Sequence, residues 1–120
     1  MNLQEKLWGT TRTVFEDALT WVTEINVVPG GYSSKHHHEH IYNKFVVVSG
    51  CLMLFEYDNS GREHRIVLSP EAHGYQFAPL LWHRFEALEP TVAREIYWPQ
   101  AGHTISTNDI VRQDTGGVRQ

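Results

Sequence analysis

Short stretches of alternating apolar and polar residues, each ended by a turn signal, run through most of this 120-residue chain. In Leu19 to Val28 the residues Trp21, Thr23, Ile25 and Val27 share one face, a period of two rich in β-branched side chains that predicts a strand. Pro29-Gly30-Gly31 ends it. Lys35 to Val48 is the next extended region, Ser49-Gly50 turns the chain, and Cys51 to Tyr57 continues as a strand. Asp58-Asn59-Ser60-Gly61 reads as a hairpin loop, because Asp, Asn and Gly tolerate the φ values such loops need. Arg62 to Leu68 returns as its partner, and Gly74 to Ala78, His83 to Ala87 and Val92 to Trp98 are strand-like as well. Residues 2 to 8 look weakly helical, and the tail from Pro99 has no clear period. About six to eight short strands at roughly ten-residue spacing predict an all-β sandwich or barrel. One domain over residues 1–120 is expected, with a barrel core at about 19–98 and a tail at 99–120.

Composition narrows the function classes. Hydrophobic residues at 41% and charged residues at 20% are an ordinary globular mix, which argues against disorder. A net charge of −4 is too acidic for a general nucleic-acid binder. No apolar run approaches the ~20 residues of a membrane-spanning helix. The start shows no basic stretch followed by an apolar one, so a cytoplasmic location is expected. The single Cys51 excludes an internal disulfide framework; in its apolar strand it reads as a small buried hydrophobe.

Eight histidines stand out, four of them within Lys35-His36-His37-His38-Glu39-His40. Alternation puts His36, His38 and His40 on one face of a strand and His37 on the other. Two imidazoles at i and i+2 can converge on one metal ion, and a third ligand must come from elsewhere. His83, after Pro79 and opening a later strand, is the best-placed candidate. His64, His73 and His103 have no matching spacing and read as surface or structural residues.

Gly30 through Gly50 resembles the first cupin motif, G-x5-H-x-H-x3-4-E-x6-G, with His36, His38 and the closing Gly50 at the right intervals and Asn43 in the glutamate place. Residues 73 to 87 are similar to the second motif through Gly74, Pro79 and His83. There no Gly lies between Pro79 and His83, the interval is one residue short, and Ala87 stands where Asn is usual. The flanks, Trp8-Gly9, Pro29-Gly30-Gly31 and the ending Asp109-Ile110-Val111-Arg112 with Asp114, resemble the type II mannose-6-phosphate isomerase-like cupins. That family also forms the C-terminal domain of mannose-1-phosphate guanylyltransferases; its first ligand pair is usually Gln-x-His, so His36 takes the Gln place. The resemblance implies a small cupin barrel (a double-stranded β-helix or jelly roll) holding one divalent metal, and cupins commonly pair as homodimers.

Three neutral imidazoles leave a divalent ion near +2, where a two-His, one-carboxylate set leaves about +1. Such a centre favours anionic ligands and suits transition metals: Zn, Fe, Ni or Mn are not distinguished. Asn43 would bind weakly through its carbonyl oxygen or support the ligands. Lys35, Arg84 and Arg94 are candidate receptors for a phosphate or carboxylate, with Lys44 and Arg112 as further cations; Arg84, next to His83, should point away from the metal in a regular strand. No carboxylate base lies in the motif; Glu39 and Glu86 are nearest in sequence, and Tyr42 and Tyr97 are further acid/base candidates. Trp21, Trp82 and Trp98 are expected to pack the barrel or cover its mouth. The leading expectation is a sugar-phosphate isomerase or epimerase-like enzyme on a small anionic carbohydrate. The alternatives are a three-His Fe(II)-dependent oxygenase and a non-catalytic ligand-binding or regulatory cupin.

Overall fold

The computed structural model describes residues 3–120. Among the described residues thirteen strands follow one another: β1 (Gln4–Lys6), β2 (Gly9–Glu16), β3 (Trp21–Val27), β4 (Gly31–Tyr32), β5 (His36–His37), β6 (Ile41–Ser49), β7 (Leu52–Tyr57), β8 (Glu63–Leu68), β9 (Tyr75–Phe77), β10 (Trp82–Ala87), β11 (Thr91–Pro99), β12 (Val111–Arg112) and β13 (Gly117–Val118). All the pairings are antiparallel. One sheet has the order β1-β2-β3-β11-β6-β9. In the other, β8 pairs with β7 and β7 with β10, while β4 and β5 lie along the opposite edge of β10 as two pieces of one interrupted strand. Beyond them, β12 and β13 close that edge. Among the described residues no helix is long and apolar enough to cross a membrane.

The two sheets face each other across a core that mirrors the alternation in the sequence. Ile25, Val27, Phe45, Val47, Phe77 and Ala93 come from the first sheet, and Leu52, Leu54, Leu68, Phe85 and Ala87 from the second. Fully burying each large side chain contributes roughly 1.5–3 kcal/mol. Aromatic edges interlock here: Phe45 meets Phe77 and Phe85 at ring-centroid distances of 5.9 Å each, and Trp8 meets Phe85 at 5.0 Å. Inward positions change character together along the strands. Ile25 gives way to Thr23, Phe45 to Asn43, Ala93 to Glu95 and Phe85 to His83, all still buried. One end of the barrel is therefore apolar core and the other a buried polar site.

Turn chemistry agrees with the sequence. In the 58–61 loop one Asp58 carboxylate oxygen accepts the backbone N–H groups of Ser60 and Arg62, each at 2.9 Å, and Gly61 takes φ 82°. Gly50 sits at φ 94°, where an added Cβ would collide with the Pro90 carbonyl oxygen. Two expectations change. Within the segment expected to be helical, Gln4–Lys6 is strand β1, paired with Thr11, Thr10 and Gly9 of β2; Asn2 lies outside the described residues. Edge pairing outweighs the weak helical preference of so short a segment. The tail without a period forms β12 and β13, two-residue strands too short to show one. The sheets thus extend beyond residues 19–98 at both ends.

Candidate metal centre

His36 and His83 are directly opposed on neighbouring antiparallel strands, and His38 follows two residues along from His36. Their ring centroids are 4.5 Å (His36–His83), 5.3 Å (His36–His38) and 5.5 Å (His38–His83) apart. One nitrogen from each lies within 4.8 Å of the other two, and this is the only such His, Cys, Asp or Glu group among the described residues.

Hydrogen bonding fixes which nitrogen faces inward. Nδ1 of His36 donates to the Ser34 carbonyl at 2.8 Å, Nδ1 of His83 to the Leu81 carbonyl at 2.9 Å, and Nδ1 of His38 to the Asp109 carbonyl at 2.7 Å. With the proton on Nδ1, each Nε2 presents a lone pair. Nε2 of His38 and of His83 is buried with no hydrogen-bond partner, an arrangement that a protein interior tolerates poorly. A divalent ion is the partner that fits: three neutral imidazoles, each tautomer set by a carbonyl, offering nitrogen donors.

Burial, then the neighbouring histidines, disfavours the charged form of these imidazoles. Burial comes first for His36, followed by the charges of His38, Arg112 and His37, which together outweigh its carbonyl bond and lower it to about 3. Burial lowers His38 despite its bond to Asp109. His83 is pushed well below the ordinary value by burial and then by His36. All three are therefore neutral at physiological pH, the form a metal requires.

The tail fastens this strand. The Asp109 carboxylate accepts the backbone N–H groups of Glu39 (2.7 Å) and His40 (2.9 Å), and Asp114 accepts that of Lys35 (2.7 Å). Leu80 crosses beside it, its N–H donating to the His38 carbonyl at 2.6 Å. With φ 69°, Leu80 holds a left-handed conformation at the segment where the second motif lacks its Gly.

His36 and His38 open into a cavity of about 600 Å³ whose walls include Trp21, Glu95, Tyr97 and Arg112. Trp21 and Tyr97 are stacked, with ring centroids 4.6 Å apart. Asn43 is fully buried, and its Nδ2 donates to Glu95 Oε1 at 3.5 Å. The Thr23 hydroxyl donates to Glu95 Oε2 at 3.2 Å, and Tyr97 bonds the same carboxylate. Burial raises the Glu95 carboxyl, and burial followed by the Glu95 charge raises Tyr97 well above its ordinary value.

Other candidates lie elsewhere. Lys35 rests its ammonium over the Tyr57 ring at 4.0 Å; Arg84 stacks on Phe55 at 4.0 Å and donates to the Tyr57 hydroxyl; Arg94 is exposed on the outer side of β11. Lys35 and Arg84 each adjoin a ligand histidine in sequence, and Arg94 adjoins inward-facing Ala93 and Glu95, so strand alternation turns all three away from the cavity. Arg112 is the one cation of the original group among the cavity's walls. Glu39 is exposed, and Glu86 is engaged outside with Arg84 and Arg119. Tyr42 stacks on Trp98 at 5.4 Å, and His37 packs on Trp82 at 4.4 Å on the face opposite His36 and His38. Cys51 is half-buried just before β7. Of the remaining histidines, His64 is exposed beside Asp58, His73 is exposed, and His103 stacks on His40 at 4.2 Å.

Sequence reasoning missed Glu95 as a residue of the cavity. The signal was its parity with Ala93 and Tyr97 in a recognised strand.

No protein-family model and no curated protein matches the chain. Solved structures do. The structure of oxalate decarboxylase from Bacillus subtilis at pH 4.6 superposes with a TM-score of 0.76 at 17% identity, covering 93% of this chain and 30% of that one. A structure of that enzyme from work assigning the EPR fine-structure parameters of its Mn(II) centres gives 0.73 at 16%, with the same coverage. One describing the substrate binding mode and reaction specificity switch of oxalate decarboxylase gives 0.75 at 16%, covering 92% and 30%. The chain spans about a third of the length of those proteins. The fold is that of a cupin barrel, and its three clustered histidines are a group that could hold a metal ion.

Proposed function

We propose that this cupin is a metal-dependent enzyme that moves a proton within a small anionic carbohydrate, as a sugar-phosphate isomerase or epimerase does. The observation that carries the reading is the three-imidazole centre, two of whose members, His36 and His38, line a cavity that also holds a buried carboxylate and a cation. A divalent ion held by His36, His38 and His83 would supply Lewis acidity toward a carbonyl and its neighbouring hydroxyl. Arg112, beside β5 at the cavity wall, binds the anionic end of the substrate. Glu95 takes a proton from one carbon and returns it to the next, the role for which the motif itself offered no residue. Trp21 and Tyr97 form an aromatic wall against which a sugar ring packs and from which water is excluded. The resemblance of the flanking motifs to type II mannose-6-phosphate isomerase-like cupins supports the same choice of substrate.

The test begins with metal content in protein purified without a tag or nickel resin. Loaded anaerobically with each of Zn, Mn, Fe and Ni, the protein is expected to interconvert mannose 6-phosphate and fructose 6-phosphate, or a related sugar-phosphate pair, without oxygen. Turnover that needs Fe(II) and consumes O₂ replaces this reading with an oxygenase. A sugar phosphate that binds without turnover replaces it with a binding module.

A further inference from the structure

Asn43 occupies the place where the first motif carries a ligating glutamate, and the structure shows what its amide does instead. Its Nδ2 donates to Glu95 Oε1, and Tyr97 bonds both the Asn43 amide and the Glu95 carboxylate. An amide oxygen turned toward a carboxylate would meet only repulsion, so these partners fix the nitrogen on the Glu95 side. Oδ1 is thereby directed elsewhere, and it is buried with no hydrogen-bond partner. Asn43 is paired across the first sheet with Phe77 on one side and Tyr97 on the other. Phe77 stacks on His83 at 4.2 Å, and Tyr97 meets His38 at 5.5 Å. The residues that flank Asn43 on its strand neighbours are thus the ones that touch the rings of His83 and His38, whose Nε2 atoms are likewise unpartnered.

We infer that Glu95 is a positioning residue for the metal centre: acting through Asn43, it orients a neutral oxygen donor toward the ion and holds a negative charge one residue behind it. The pair divides what a single ligating glutamate does in one side chain. A buried carboxylate is costly unless hydrogen-bonded, and this one is held by Thr23, Asn43 and Tyr97, two hydroxyls and an amide. This inference rests on the metal-site reading and adds a role for Glu95 to the proton transfer proposed above.

The experiment is a double-variant cycle read by cobalt(II) binding: affinity by chelator competition, and the visible absorption of the bound ion. Glu95→Gln keeps the size of the side chain and removes the charge. It should weaken cobalt binding about 10- to 100-fold and shift the absorption bands. Asn43→Glu alone puts two carboxylates side by side and should gain no affinity. Asn43→Glu combined with Glu95→Gln, which moves the charge onto the ligand, should recover at least wild-type affinity. A Glu95→Gln protein that binds cobalt within two-fold of wild type with an unchanged spectrum overturns the inference, as do effects of the two substitutions that simply multiply. Should Asn43→Glu fail to fold, the Glu95→Gln affinity and spectrum decide alone. Wild-type protein that takes up no cobalt overturns the metal-site reading, and this inference with it.

Discussion

Acidifying the metal-free protein should unfold it through the histidine site. The unfolded chain binds protons on these imidazoles at about pH 6.5, whereas the folded chain holds His36 down at about 3 because of burial and the charges around it. A folded value below the unfolded one means stability is intact above pH 6.5 and falls as the pH drops toward the folded value. Between pH 7 and 5 the loss from His36 alone is about 2 kcal/mol. That is a large part of the roughly 5–15 kcal/mol that holds a domain together. His38 and His83 are lowered by burial too and push the same way. Glu95 opposes them: burial raises its carboxyl, so the folded state takes up its proton first on acidification and regains some stability. With three groups against one, the melting temperature of metal-free protein should fall by at least about 8 °C from pH 7 to 5, at ~4 °C per kcal/mol for a chain of this size. Calorimetry or circular dichroism on chelator-treated protein measures it, and His36→Gln should flatten the slope. A melting temperature that moves less than ~3 °C over this range refutes the argument that these imidazoles are buried and neutral.

Three further outcomes are expected. Asp109→Ala frees the N–H groups of Glu39 and His40 from their carboxylate and loosens the carbonyl that holds His38; metal affinity by chelator competition should drop about 10-fold while the far-ultraviolet spectrum stays that of a folded β protein. Leu80→Gly relieves a left-handed conformation costing about 1–2 kcal/mol in a side chain that is largely exposed, against about 0.5–1 kcal/mol of added chain entropy, so urea denaturation should show unchanged or slightly higher stability. Gly50→Ala drives a Cβ against the Pro90 carbonyl at a φ that L residues avoid, and the same denaturation should show a loss of at least about 2 kcal/mol.

Alternation makes much of this protein legible in its sequence. It put Thr23, Ile25 and Val27 on one face, separated His36 and His38 from His37, and pointed Arg84 away from His83, and the structure agrees at each position. Alternation defines two faces but does not say which is inside. In Val92 to Trp98 both faces carry apolar residues, Val92, Ile96 and Trp98 against Ala93 and Tyr97, so Glu95 could not be assigned to the interior from the pattern. Lys35, Arg84 and Arg94 drew attention by standing close in sequence to ligand or core-strand residues. In an extended strand that closeness is what turns a neighbour to the other side. Arg112 lies in a two-residue strand with no period to read, and only pairing with β5 brings it to the site.

The step from apolar to polar along the barrel explains why the site can exist at this cost. His83, Asn43, Thr23 and Glu95 lie next to Phe85, Phe45, Ile25 and Ala93 on their own strands, so each buried polar group is anchored by a core residue two positions away. Core packing fixes the backbone of all four strands at that level and leaves the polar side chains little freedom to seek water. Their hydrogen bonds must then be met by one another, by backbone carbonyls, or by something that enters. Glu95 is met by Thr23, Asn43 and Tyr97, and the imidazole Nδ1 atoms by the carbonyls of Ser34, Leu81 and Asp109. Nε2 of His38, Nε2 of His83 and Oδ1 of Asn43 have no such partner. Two imidazole nitrogens and an amide oxygen offer lone pairs suited to a cation, which supports the metal site proposed for the polar end of the barrel.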